Sequence, residues 1–248
     1  MIYSEIALLK SILETNFVNV LVIGAHPDDE VIGVGGTIAK HIQNGDKISI
    51  VLFSVGHKPI QPKLKEQAYK SLKIFGIKKE NLFWLGCKSG QFDLESKLDV
   101  NSKLADIIVK IKPKIVYTHF YGDTHQDHRF VFDSTMVACR PHQIRGIKTK
   151  RSWEGVEKIL CYEIPSSTNW SGRLNESFNP TEFNIITEQN LKKKIDAYNC
   201  YKNEVRSGNH PRSIESLKTV AKYRGNSING KLCETFVIIR NIRYEHKK

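Results

Sequence analysis

Long apolar runs are missing from this sequence. A membrane-spanning helix needs about 20 consecutive, mostly apolar residues, and the apolar runs here, such as residues 18–23 and 48–53, are far shorter. Residues 1–5 also lack the basic and apolar regions of a secretory signal. We therefore expect a protein that has no membrane span and works in the cytoplasm.

Two kinds of motif are missing as well. The chain has 5 cysteines, an odd number, and no Cys-x-x-Cys pair, which excludes a disulfide framework and a zinc ribbon. It also has no Gly-x-Gly-x-x-Gly fingerprint. The nearest stretch, Gly33-Val-Gly-Gly36, follows several carboxylates that would repel a pyrophosphate. This argues against a nicotinamide or flavin cofactor.

Charge, by contrast, is plentiful and unbalanced, with a formal net charge of +12. A field of that sign attracts nucleic acid, anionic membranes or anionic small molecules. The basic residues occur in small groups among acids and are not interleaved with aromatics, as they are in base-stacking surfaces. We therefore expect no nucleic-acid partner. Most of the charge is interpreted as solvated surface, and the remainder favours an anionic small-molecule substrate.

Short apolar runs alternate with longer segments of helical periodicity, which is a βα rhythm. Strands are predicted at residues 18–23, 47–54, 81–85, 114–118 and 158–162, with two more at 182–186 and 235–240. Helices are predicted at residues 4–14, 35–44, 63–75, 96–111 and 126–140, with two more at 188–201 and 214–223. The rhythm predicts a mostly parallel sheet covered by helices on both faces.

The predicted fold class is therefore α/β, with a Rossmann-like doubly wound sheet. The chain has 248 residues, 40% of them hydrophobic, which is enough for one large core. We expect a single domain over residues 1–248, with a core at about 18–165 and an extension at about 166–248 that completes the pocket. Assembly into a homo-oligomer is left open.

Two clusters of polar side chains follow predicted strands. Residues 25–30 read Ala-His-Pro-Asp-Asp-Glu directly after the first strand, and residues 125–128 read His-Gln-Asp-His shortly after the fourth. If the strand order is 3-2-1-4-5, these two strands are neighbours where the order reverses. That is where doubly wound sheets bind ligands. We therefore expect the clusters to meet.

The spacing within the clusters suits a metal ion. His26 and Asp29 are three residues apart, as are His125 and His128, and residues at that spacing share a face if the turn is helical. A catalytic zinc takes three protein ligands from His, Asp, Glu or Cys and keeps one position for water. His26, Asp29 and His128 would make such a site.

The paired motifs resemble those of the PIG-L, or LmbE-like, family of zinc-dependent N-deacetylases. The likeness covers about residues 18–140, including Gly33, Gly35 and Gly36, and continues more weakly in residues 162–165 and 210–213. It implies zinc, or another divalent transition metal, held by the three ligands named above. It also implies removal of an N-acetyl group from an amino sugar or its conjugate, such as a sugar nucleotide, a glycolipid or a thiol-sugar precursor.

The resemblance also implies the catalytic roles. Asp28 would be the general base that takes a proton from water. His125, held in its tautomer by Asp127, would stabilise the oxyanion of the tetrahedral intermediate and help to protonate the departing amine.

Substrate contacts are less determined. Many relatives have an arginine near the start of the second helix, whereas this chain has Lys63 there, a point charge instead of a planar fork. His210 and Arg212 either lie on a surface loop or contact substrate from the pocket wall.

Two other functions remain open at this point. His and Asp clusters also serve metal-dependent phosphoesterases, although their two-metal sites usually need more carboxylates. A basic nucleic-acid-binding protein with a structural metal would need a closed four-ligand site and salt-dependent binding.

Overall fold

The computed structural model describes residues 17–56, 61–141, 154–172 and 177–243. The helix predicted at residues 4–14 lies outside these ranges. The described residues form seven strands, numbered β1 to β7 in chain order, and six α-helices. The strands make one mixed sheet of order β3-β2-β1-β4-β5-β7-β6. The order predicted for the first five strands is confirmed.

The first five strands pair in parallel, and β7 runs antiparallel to both of its neighbours, β5 and β6. The strands are β1 Asn19–Gly24, β2 Lys47–Ser54, β3 Leu82–Cys87, β4 Ile115–His119, β5 Lys158–Tyr162, β6 Glu182–Ile185 and β7 Cys233–Asn241. The helices are α1 Asp29–Gln43, α2 Gln61–Phe75, α3 Lys97–Ile111, α4 Gln126–Ala138, α5 Glu188–Tyr198 and α6 Ile214–Asn226.

The central strands are buried on both faces, which explains their continuous apolar sequences. In β1, Val20 and Val22 belong to the core cluster on one face of the sheet, and Leu21 and Ile23 belong to the cluster on the other. Successive side chains of a strand point to opposite faces, so helices on both sides are needed to cover them. No helix in the described ranges is long and apolar enough to span a bilayer.

The first helix begins earlier than the sequence indicated. We predicted residues 35–44, but α1 starts at Asp29, so the first motif runs directly into it. Gly33, Gly35 and Gly36 lie inside this helix, where neighbouring side chains pack closely against its backbone. A Cβ added to Gly33 would lie 2.2 Å from the ring of Tyr162, and one added to Gly36 would lie 2.7 Å from Ile186.

The C-terminal extension packs on this same body. β7 lies beside β5, and the buried Lys194 of α5 pairs with the buried Glu234 of β7, with 2.6 Å between Nζ and Oε1. Glu234 also accepts the backbone N–H groups of Gly36 and Thr37 at 3.0 and 2.7 Å. One carboxylate therefore links the extension to the helix that carries the first motif.

Candidate metal and catalytic site

The two polar clusters meet at the carboxyl ends of β1 and β4, which are hydrogen-bonded neighbours. The ring centroid of His26 lies 4.9 Å from that of His125 and 5.6 Å from that of His128. The position at the reversal of strand order is the one predicted from the βα rhythm. Topology alone therefore brings together side chains that lie about a hundred residues apart in the chain.

Asp29 is at the centre of the cluster. Its Oδ2 lies 3.4 Å from Nδ1 of His26 and 3.6 Å from Nε2 of His128. Atoms that share a tetrahedral zinc at about 2.1 Å are roughly 3.4 Å apart, so these separations fit a common ion. The same oxygen accepts the backbone N–H of His26 at 2.8 Å. Asp29 thus lies close to each of the two histidines predicted with it as metal ligands.

Carboxylates lie behind both histidines. The Oδ2 of Asp127 is 2.9 Å from Nε2 of His26, and the Oδ2 of Asp123 is 3.2 Å from Nδ1 of His128. Each ring therefore has a carboxylate on one nitrogen and turns the other nitrogen towards Asp29. Metal-binding histidines are typically oriented in this way, so the residues present fit a metal ion.

The partner of Asp127 differs from the one expected. Its carboxylate contacts His26 and accepts the backbone N–H of Gly90 at 2.6 Å, whereas only its own backbone N–H reaches Nδ1 of His125, at 3.2 Å. His125 caps α4 through this contact. Asp127 therefore orients His26 with its side chain and His125 with its main chain.

A fourth histidine, His119, was missed by the sequence analysis. It ends β4 and is fully buried, and its Nε2 lies 3.2 Å from Oδ2 of Asp29. Among the described residues, two overlapping groups are close enough to hold a metal ion: His26, His125 and His128, or Asp29, His119 and His128. Each shares two residues with the predicted set of His26, Asp29 and His128, and neither is identical to that set. No spacing pattern marks His119. Its position at the carboxyl end of the strand beside β1 was the available signal.

Burial and ion pairing shift the pKa values of the cluster in different directions. Burial alone would lower the pKa of His26, but hydrogen bonds with Asp127 and Asp29 raise it to about 10. Burial lowers the pKa of His128 to about 4. Burial would raise the pKa of Asp29, but His128 and His119 hold it well below its usual value. Asp29 is thus an ionised carboxylate facing a neutral His128, both in the form that binds metal, whereas His26 is protonated and would release its proton when a metal ion binds.

Asp28 precedes α1 and has an unusual environment. Its φ of 120° is rare for a residue other than glycine, and only 2% of its surface is exposed. The guanidinium of Arg212 forms an ion pair with its carboxylate. Burial raises the pKa of Asp28 well above its usual value, although Arg212 acts in the opposite direction. Buried carboxyls with raised pKa values are common among catalytic acids and bases.

A cavity of about 250 Å³ opens over these residues. Arg212 and Glu204 line it, together with three serines: Ser89, Ser166 and Ser167. Of the three predicted substrate residues, the structure brings only Arg212 to the cavity. Lys63 is exposed on α2, and His210 is exposed and accepts the backbone N–H of Arg212 through Nδ1 at 3.0 Å.

Comparison with known proteins finds a family whose model covers both polar motifs. Residues 21–139 match the family model described as PIG-L: GlcNAc-PI de-N-acetylase. The chain is 31% identical over 190 residues to the uncharacterized deacetylase YaiS of Escherichia coli (strain K12), covering 74% of this chain and 90% of that protein. It is 24% identical over 168 residues to the 4-oxalmesaconate hydratase of Pseudomonas putida, covering 60% of this chain and 63% of that protein.

A solved structure shows the same fold. The N,N'-diacetylchitobiose deacetylase of Pyrococcus horikoshii superposes with a TM-score of 0.72 at 21% identity, covering 89% of this chain and 83% of that one. The fold is therefore shared well beyond the two motifs.

Proposed function

Because the chain belongs to the PIG-L family, we propose that it is a zinc-dependent hydrolase that removes the N-acetyl group from an amino sugar and releases acetate. One observation carries the proposal. The Oδ2 of Asp29 lies 3.4 Å from His26 and 3.6 Å from His128, and the buried carboxyl of Asp28 lies next to it in the chain. This set of donors and base suits metal-assisted hydrolysis.

His26, Asp29 and His128 would hold the metal ion. Two nitrogens and one carboxylate oxygen suit zinc, and a fourth position remains for water. A bound zinc would polarise the amide carbonyl and bring the pKa of water to about 7. Asp127 and Asp123 would keep the two imidazoles in the orientation that binding needs.

Asp28 would take the proton from the attacking water. Its raised pKa brings it nearer to neutral pH, where a general base works best. Asp28 and Arg212 both line the cavity, and their ion pair holds the Asp28 carboxyl there.

His125 would stabilise the oxyanion through a hydrogen bond, and the proton that Asp28 takes from water would go to the departing amine. The Nδ1 of His125 accepts the backbone N–H of Asp127, so the neutral ring carries its hydrogen on Nε2. A donor is then available in the cavity that His125 lines. Removing one donor to an oxyanion typically lowers the rate by about two to three orders of magnitude.

The cavity wall favours an uncharged sugar. The net charge of +12 favoured an anionic substrate, but the cationic side chains of the described wall are already paired. Arg212 pairs with Asp28 and lies 3.5 Å from Glu204, and His26 pairs with Asp127 and Asp29. The serine hydroxyls of the wall are donors and acceptors that suit sugar hydroxyls. We therefore propose a neutral N-acetylated amino sugar as the group bound at the described wall.

Hydration of a double bond is the second candidate, favoured by the similarity to a hydratase. The same base and metal ligands would serve the addition of water. A hydratase would release no acetate, so the product separates the two reactions.

The test is acetate release from a panel of N-acetylated sugars, comparing the zinc-loaded protein with Asp28→Asn. We expect release by the first and a loss of at least about 100-fold in the second. Phosphate release from phosphoesters, or salt-dependent retention on DNA without acetate release, would instead support the two functions left open by the sequence. Equal acetate release by Asp28→Asn would refute the assignment of the base.

A further inference from the structure

The backbone of Asp28 is held in a conformation that needs support. With φ at 120° and ψ at −28°, it lies in a region that residues with a side chain rarely adopt. Such conformations persist only where surrounding contacts over-determine them, and they occur often at active sites. The contacts that hold Asp28 therefore bear on its function.

The first of these contacts is Glu30. Its Oε2 accepts the backbone N–H of Asp28 at 3.0 Å, and its Oε1 accepts the hydroxyl of Tyr201 at 2.5 Å. Glu30 is 2% exposed and Tyr201 is fully buried. Each carboxylate oxygen of Glu30 thus accepts a hydrogen bond from its own donor, and the whole arrangement is buried.

The carbonyl and the carboxyl of Asp28 also have partners. The carbonyl of Asp28 accepts the N–H groups of Val31 and Ile32 at 3.0 and 2.9 Å, and its carboxyl pairs with Arg212. The donor to Glu30 and the partner of the Asp28 carboxyl both come from the C-terminal extension, at Tyr201 and Arg212. The extension therefore determines how the first motif is held.

Helix capping explains only one of the two contacts of Glu30. A glutamate in the first turn can accept the backbone N–H of the residue that caps the helix, as Glu30 does for Asp28. Its second oxygen is occupied by Tyr201, a buried residue 171 positions away. Capping alone would not require that second contact.

We infer that Glu30, supported by Tyr201, is a positioning residue that fixes the backbone of Asp28 so that its carboxyl faces the cavity. The inference rests on the proposed function, in which Asp28 is the base. It assigns a role to the last residue of the first motif and to a tyrosine that follows α5.

Four variants test this assignment. Glu30→Leu removes both acceptors. Glu30→Gln keeps an oxygen for the Asp28 N–H and offers an amide N–H to the Tyr201 hydroxyl. Tyr201→Phe removes one hydroxyl and nothing else. Tyr117→Phe is the matched control, since Tyr117 is equally buried and its hydroxyl lies 3.0 Å from Nε2 of His41, away from the cavity.

We expect Glu30→Leu to lower kcat for acetate release about 10- to 100-fold with KM and bound zinc unchanged, as is typical for partners that orient catalytic groups. Tyr201→Phe should lower kcat less. Glu30→Gln and Tyr117→Phe should stay near the wild-type kcat. If Glu30→Gln lost as much as Glu30→Leu, or if zinc were lost with the activity, the positioning role would be overturned.

Crystal structures of the variants test the geometry without any substrate. In Glu30→Leu we expect Asp28 to leave the positive φ region, and in Glu30→Gln we expect it to stay. An unchanged Asp28 in Glu30→Leu, or in Tyr201→Phe if the leucine variant does not fold, would contradict the inference. If the wild type released no acetate while Glu30→Leu still relaxed, the proposed function would fail and the positioning of Asp28 would stand.

Discussion

His119, at the end of β4, lies beside Asp29, at the start of α1, with 3.2 Å between Nε2 and Oδ2. His119 is fully buried, and its ring stacks on that of His128 with centroids 3.9 Å apart at 17°. The carboxylate of Asp29 thus has a third imidazole beside it in addition to the two predicted ligands. The Nε2 of His119 also accepts the backbone N–H of Ala25 at 3.0 Å, so we interpret His119 as a support of the first motif beside the Asp29 carboxylate.

Replacing His119 with phenylalanine should weaken zinc binding. The ring volume stays, but the nitrogen that faces Asp29 is lost, and loss of such a partner typically costs about 10- to 100-fold in metal affinity. Competition with a chelator measures the dissociation constant. His41→Phe is the control, because His41 contacts Asp46 and Tyr117 and no residue of the site. Equal affinities in the two variants would show that His119 does not support the metal.

Asp127→Asn should weaken zinc binding by a similar factor of about 10 to 100. The charge that orients His26 through Nε2 is lost, and a neutral amide holds the ring less firmly. Asp133→Asn is the matched control, since Asp133 is an exposed aspartate of the same helix, α4. Isothermal titration of both variants with zinc gives the comparison. A normal affinity in Asp127→Asn would assign Asp127 to catalysis alone.

Glu234→Gln should cost about 3–5 kcal/mol in the free energy of unfolding. The substitution leaves the ammonium of Lys194 buried without its counter-charge. Urea unfolding measures the loss. Asp196→Asn is the control: it removes the partner of Lys192 at the same 2.6 Å, but on an exposed surface, where about 0–1 kcal/mol is expected. Similar losses in both variants would mean that burial is not what makes the Glu234 pair important.

The strand order and the meeting of the two motifs could be predicted because both follow from local patterns. Continuous apolar runs mark strands buried on both faces, and short βα connections leave few topologies. The start of α1 was predicted too late, because the sequence does not show that Tyr162 packs against Gly33 inside this helix. A close approach between distant segments has no local signature.

The supporting contacts of the site could not be predicted for the same reason. Tyr201 and Arg212 reach the first motif from far along the chain, and His119 has no ligand-spaced partner. The carboxylate of Asp127 contacts His26, 101 residues away in the chain, instead of the nearby His125, and periodicity does not specify such a contact. Lys63 lies near the start of a helix where many relatives have an arginine, but its side chain is exposed to solvent.

The most direct test of the metal site is a crystal structure of the zinc-loaded protein, with anomalous differences measured at the zinc edge. We expect one zinc peak within about 2.0–2.2 Å of a nitrogen of His26, an oxygen of Asp29 and a nitrogen of His128. A peak held by His26, His125 and His128 without Asp29, or no peak at these residues, would contradict the proposed site.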